Sequence, residues 1–216
     1  MVALIAWCCG GALLAAAVSP WLLSLAHRSD QQPAKTPWYL TRFGCAAMGA
    51  LLGAVCAGWS LHQPLAAMPG LAIILFAATG ASLVDAATFR LPDVLVLRGW
   101  AVGAVALTAG AFLDGDPRRL AIALAISAVS WAVFAALAWA YPPGMGYGDV
   151  KLAGMLALAT GWWGVTIAVA AVIGAFVVGG FIGIALMALR RARGSTPIPF
   201  GPALVVAAAL VPLALL

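Results

Sequence analysis

Glutamate is absent from the 216 residues, and charged side chains of all kinds make up only 8% of them. A soluble domain carries about a quarter charged residues, so this chain cannot cover a water-facing surface. Hydrophobic residues reach 65% and the mean hydropathy is +1.11. The chain reads as an integral membrane protein. Polar stretches are equally scarce. The longest runs from His27 to Trp38, too short to fold by itself, so no soluble domain is expected. Metal-ligand spacing is missing as well. The four cysteines (Cys8, Cys9, Cys45, Cys56) lie in apolar runs with no Cys-x-x-Cys pair, and His27 and His62 fall in different expected loops. That argues against a metal site and leaves the cysteines as small apolar fillers. No cofactor is implied. Eleven Lys and Arg against six Asp give a net charge of +5. No basic run is interleaved with aromatics, which excludes nucleic acid as a partner.

What remains is a series of apolar runs. A spanning helix needs about twenty apolar residues. Eight candidates stand at 2–26, 39–62, 69–88, 93–113, 118–141, 148–163, 164–189 and 199–216. The fold class is therefore an all-α, polytopic bundle of about eight transmembrane helices. The first run lacks a basic leading region and a convincing cleavage site, and reads as a retained helix. Gly161-Trp-Trp-Gly164 makes a tight link between the sixth and seventh runs. Residues 1–62 read as two N-terminal helices joined by a short loop, and 69–216 as the remaining core. Gly49 with Gly53, and Gly99 with Gly103, are small-xxx-small pairs that let helices approach closely, without implying a dimer.

Basic residues then assign the sides. Arg28, Lys35, Arg42, Arg90, Arg98, Lys151, Arg190, Arg191 and Arg193 fall on one side of the eight spans, and only Arg118 and Arg119 on the other. The excess predicts that the odd loops face the cytoplasm and both termini face outward. On that topology Asp85, Asp93 and Asp149 gather at the cytoplasmic boundary.

These aspartates carry the chemistry. Asp149 closes Gly144-Met-Gly146-Tyr-Gly148-Asp149, whose glycines let the backbone turn sharply and approach a partner closely. It falls in the first turn of the next helix, where an acid is also a favoured cap. Asp85 ends the apolar run 71–87, at a depth where an ionisable group is costly unless it is functional. Asp93 follows Pro92 and reads as an N-terminal cap of the fourth helix or as a third site carboxylate. Arg90 and Lys151 suit either a carboxylate partner or juxtamembrane anchoring. Two close carboxyls cannot both ionise cheaply, so they tend to share a proton. One can then activate water while the other protonates the scissile carbonyl. Asp149, at a helix N-terminus, is expected to be the resting carboxylate and Asp85, near a helix C-terminus, the proton holder.

Three ordered blocks make the chain resemble the type IV prepilin peptidases, membrane aspartyl proteases with a Gly-x-Gly-Asp motif. They are Val84-Asp85-Ala-Ala-Thr-Phe-Arg-Leu-Pro92-Asp93, Gly144-Met-Gly-Tyr-Gly-Asp149-Val-Lys-Leu, and Ile198-Pro-Phe-Gly-Pro202. The resemblance implies removal of the basic leader of a prepilin or pseudopilin at the cytoplasmic face of the inner membrane. It maps the catalytic pair onto Asp85 and Asp149 and the Pro-Asp position onto Asp93, with Gly146, Gly148, Lys151 and Arg90 in support. Many members also N-methylate the new terminus and carry a larger first loop with two Cys-x-x-Cys pairs. The His27–Trp38 loop has none, which points to a peptidase-only or reduced form. Pro202-Ala-Leu204 is also similar to the presenilin group, but Val84 precedes Asp85 where that group has Tyr. The alternative outside proteolysis is a small transporter using Asp85 and Asp149 as proton or cation relays.

Overall fold

The computed structural model describes residues 2–28, 37–141, 145–189 and 199–215. Among these, eight α-helices and one 3-10 turn account for the regular structure, with no strand. The helices are α1 Val2–His27, α2 Arg42–Trp59, α3 Met68–Thr88, α4 Asp93–Leu113, α5 Pro117–Ala140, α6 Tyr147–Gly161, α7 Val165–Ala188 and α8 Gly201–Leu215. Six of them, α1 to α5 and α7, are long and apolar enough to cross a membrane. The other two have 15 residues each in the described range, or about 22 Å at 1.5 Å per residue. Gly144, Lys35, Arg190, Arg191, Arg193 and Ile198, and most of the His27–Trp38 loop, lie outside the described residues.

Several boundaries differ from expectation by one to three residues, and two have a visible cause. The second helix begins at Arg42 rather than 39, because Thr41 stops the preceding 3-10 turn Trp38–Leu40 and caps α2. Its hydroxyl accepts the Gly44 N–H at 3.2 Å and donates to the Trp38 carbonyl at 2.5 Å. His27, expected in a loop, closes α1, with its Nδ1 2.7 Å from the Leu23 carbonyl one turn back.

The helices pair in chain order: α1 with α2, α3 with α4, α5 with α6, α7 with α8. The first pair packs closely on itself and only thinly on the rest. Its seam is made of glycines on which a Cβ would strike backbone. Added at Gly11 it would lie 2.3 Å from the Gly49 carbonyl oxygen, and at Gly53 it would lie 2.1 Å from that of Trp7. The Gly99–Gly103 pair likewise serves an internal contact, facing Ala77 and Ile74 of α3. Both small-residue pairs are thus used inside one chain.

At the centre, α3, α6 and α8 pack on one another, and α6 is buried along nearly its whole length. Ser127 of α5 ties α6 in place by donating to the Gly154 carbonyl at 2.7 Å. The bundle has two distinct ends. At one, the Gln63 side-chain oxygen accepts from Arg119 at 3.0 Å and from Trp162 at 3.1 Å, and Arg119 also pairs with Asp116 at 3.1 Å. At the other lie Asp85, Asp93, Asp149 and the start of α8.

Candidate active site

Asp149 is the third residue of α6, whose N-cap is Gly146. The two are linked reciprocally. The Asp149 N–H donates to the Gly146 carbonyl at 3.1 Å, and the Gly146 N–H is directed at the Asp149 carboxylate. This is the half of a capping box in which the acid at the third position reaches back to the cap. Capping and exposure of a charge at the helix start are therefore compatible here, since one carboxyl oxygen suffices for the cap. Gly146 has φ −74° and ψ 145°, ordinary extended backbone, so the expected sharp glycine turn is not made at this position. Close approach is used instead at Gly148. A Cβ there would lie 2.9 Å from the Leu91 Cβ, so α6 sits directly on the loop that joins α3 to α4.

Asp85 lies one turn before the end of α3 and is 6% exposed. The chain then reverses sharply. Phe89 stops α3 in the left-handed conformation, φ 52° and ψ 30°, with its N–H on the Asp85 carbonyl at 2.7 Å. Thr88 braces the reversal by donating to the Val84 carbonyl at 2.9 Å and the Arg90 carbonyl at 3.3 Å. The side chain of Asp85 faces inward, where it meets the charge of Asp149 and the backbone N–H of Gly201. The two aspartates come from different helices and meet at one end of the bundle, Asp85 buried and Asp149 half-buried.

Asp93 does not cap α4. Pro92 occupies the cap position and Asp93 is the first helical residue, because proline fixes the extended backbone a cap requires. Its carboxylate instead accepts from the Lys151 ammonium at 2.7 Å, tying α4 to α6. Lys151 also lies 5.1 Å above the Tyr147 ring. Of the two roles open to Lys151, the carboxylate partner is the one seen. Arg90 sits exposed on the reversal between α3 and α4.

The structure thus gathers Asp85, Asp149, Asp93, Lys151, Gly146 and Gly148 at one end of the bundle. It adds residues to which no role had been given: Leu91, Tyr147 and Gly201. It also shows a second field bearing on the proton expected at Asp85. The α3 C-terminus disfavours a charge, but the N-terminus of α8 faces the same carboxyl and favours one. Both acids therefore meet a helix N-terminus. Chemically, a pair held in this way can exchange one proton between the role of base and the role of acid. Among the described residues no group of three metal-binding side chains occurs.

Comparison with known proteins gives the same direction. A model of the type IV leader peptidase family matches residues 70–188, more than half of the chain. A prepilin leader peptidase/N-methyltransferase of Pseudomonas aeruginosa is 37% identical over 131 residues, covering 58% of this chain and 42% of that protein. Proteins of the same description from Stutzerimonas stutzeri and Aeromonas hydrophila are 32% and 35% identical, over 43% and 42% of their lengths. The match thus spans less than half of these relatives. No solved structure matches the chain. Peptidase relatives favour proteolysis over the transporter alternative. Helix α1 and all of α2 lie ahead of the matched segment, whereas Asp85, Asp93 and Asp149 lie inside it, and on that segment the chain belongs to the type IV leader peptidase family.

Proposed function

We propose that the chain is an aspartyl endopeptidase that removes the basic leader of a prepilin or pseudopilin. Asp85 and Asp149 are its catalytic pair. The observation carrying this reading is their convergence: two carboxyls from α3 and α6 within each other's field, inside the segment matched by the peptidase family. One of them, ionised, takes a proton from water as it attacks the scissile carbonyl, and the other donates to the carbonyl oxygen. Since both acids face a helix N-terminus, the shared proton belongs to the pair rather than to one residue.

In this reading the aspartate end of the bundle lies at the cytoplasmic side of the inner membrane, the eight helices span or insert, and both termini face outward. Residues 69–216 form the peptidase core, and 1–62 a hairpin beside it. With respect to methylation of the new terminus the chain is a peptidase-only or reduced form. Asp93 and Lys151 hold α4 against α6, and Gly146 and Gly148 set the depth of Asp149. Arg90 lies where an incoming peptide would cross the boundary. The partners are the substrate peptide and the lipid bilayer.

The test is co-expression with a model prepilin carrying a basic leader ahead of an apolar helix. Wild type should release the leader as a mass shift, while Asp85→Asn and Asp149→Asn should leave the substrate intact. Cleavage retained in Asp85→Asn but lost in Asp149→Asn would rule out the two-carboxyl mechanism.

A further inference from the structure

The third sequence block, Pro-Phe-Gly-Pro at 199–202, has no part in the reading above, although it stands beside the aspartates. We infer that Phe200 and Gly201 are positioning residues, with Gly201 aiming its backbone N–H at the Asp85 carboxylate and Phe200 fixing where that N–H lies. This rests on Asp85 acting in cleavage.

Gly201 is the first residue of α8 and is buried. Its N–H is directed at Asp85, and its Cα is so close that a Cβ would lie 3.0 Å from Asp85 Oδ2 and 3.5 Å from Leu152 Cδ2. Only glycine lets the start of α8 stand this near the acid without pushing it aside. A buried carboxyl otherwise keeps several rotamers open, and catalysis needs one of them.

The position of Gly201 is set in turn by Phe200. The Phe200 carbonyl accepts the N–H groups of Ala203 at 3.1 Å and Leu204 at 3.2 Å, so this residue nucleates the first turn of α8. Its ring packs at 5.2 Å on Phe176 of α7, tilted by 42°, and Phe176 stacks at 6.1 Å on Phe134 of α5. Gly179 of α7 makes room for it, since a Cβ there would lie 3.0 Å from Phe200 Cε2. Phe134 is 1% exposed, which anchors the far end of this aromatic row. Three rings from three segments therefore fix one peptide N–H. A position one ångström out would cost up to about a hundredfold in rate.

The experiment uses the full chain in detergent with a model prepilin, comparing wild type with Gly201→Ala, Phe200→Ala, Phe200→Leu and Phe200→Tyr. Gly201→Ala and Phe200→Ala are expected to lower kcat by about 10-fold to 100-fold with KM within about twofold. Phe200→Tyr, which keeps the ring, should recover wild-type kcat. Phe200→Leu keeps the apolar bulk without the ring, should lose kcat as Phe200→Ala does, and replaces it if that variant does not fold. A second readout needs no substrate: the infrared carboxyl band that disappears in Asp85→Asn should shift in Gly201→Ala and stay in place in Phe200→Tyr. Unchanged kcat, a rise confined to KM, or an unshifted band in Gly201→Ala would overturn the inference. If wild type itself cleaves nothing, the peptidase reading fails, and the infrared band alone decides the placement of Gly201.

Discussion

Breaking the Asp93–Lys151 link separates a residue that holds the site from one that acts in it. The pair is short, 2.7 Å, but Asp93 is 57% and Lys151 19% exposed, so water screens it. Pairs of this exposure contribute about 0.2–1 kcal/mol. The Tyr147 face, 5.1 Å below the ammonium, adds roughly 0.5–1 kcal/mol. Since 1.36 kcal/mol is a factor of ten, losing the link should lower kcat/KM by about 3-fold to 30-fold and no further. Asp93→Asn, Lys151→Met and the double variant would be compared by leader cleavage. Because the two side chains act as a unit, the double variant should lose about as much as either single one. A carboxyl that itself moved protons would cost about 10²–10⁴-fold. Asp93→Asn losing more than a hundredfold while Lys151→Met stays near wild type would therefore refute the positioning role. Fully additive losses would do so too, by showing that the residues act independently.

Two further outcomes concern the loop under α6. Gly148→Ala places a Cβ 2.9 Å from the Leu91 Cβ, so it should destabilise by about 1–3 kcal/mol, the range for overpacking. Thermal unfolding in detergent measures the loss, and Leu91→Ala in the same chain should restore part of it; no recovery would mean that the clash lies elsewhere. Phe89→Gly removes a side chain from left-handed backbone, where a non-glycine residue costs about 1–2 kcal/mol. The ring is about half exposed and gives up little burial, so Tm should rise, and a fall would show that the ring contributes more than its backbone costs.

The helices were legible from apolar run length, because burial in lipid and burial in protein ask for the same composition. All eight expected runs contain a helix. What run length does not register is a local stop such as Thr41, whose hydroxyl competes for backbone groups and ends the 3-10 turn. The aspartate-bearing blocks were legible as motifs, but their partners were not. Asp93 beside proline looked like a cap, and only the packing of α4 on α6 brings Lys151 within reach. The proton assignment was read from one field of two. It used the helix that carries Asp85, whereas the field at the carboxyl also comes from α8, far along the chain. The Pro-Phe-Gly-Pro block was the available signal for that contact.

The glycine seam between α1 and α2 bears on how the protein is made. These helices meet backbone to backbone, and their contacts with later elements are sparse. Close packing of small residues drives association inside lipid, where apolar burial alone does not. The hairpin can therefore zip shut once its second arm enters the bilayer, before Asp85, Asp93 or Asp149 has been synthesised. A methyl group at Gly49 or Gly53 would act at that early assembly step and leave the chemistry of the later helices untouched.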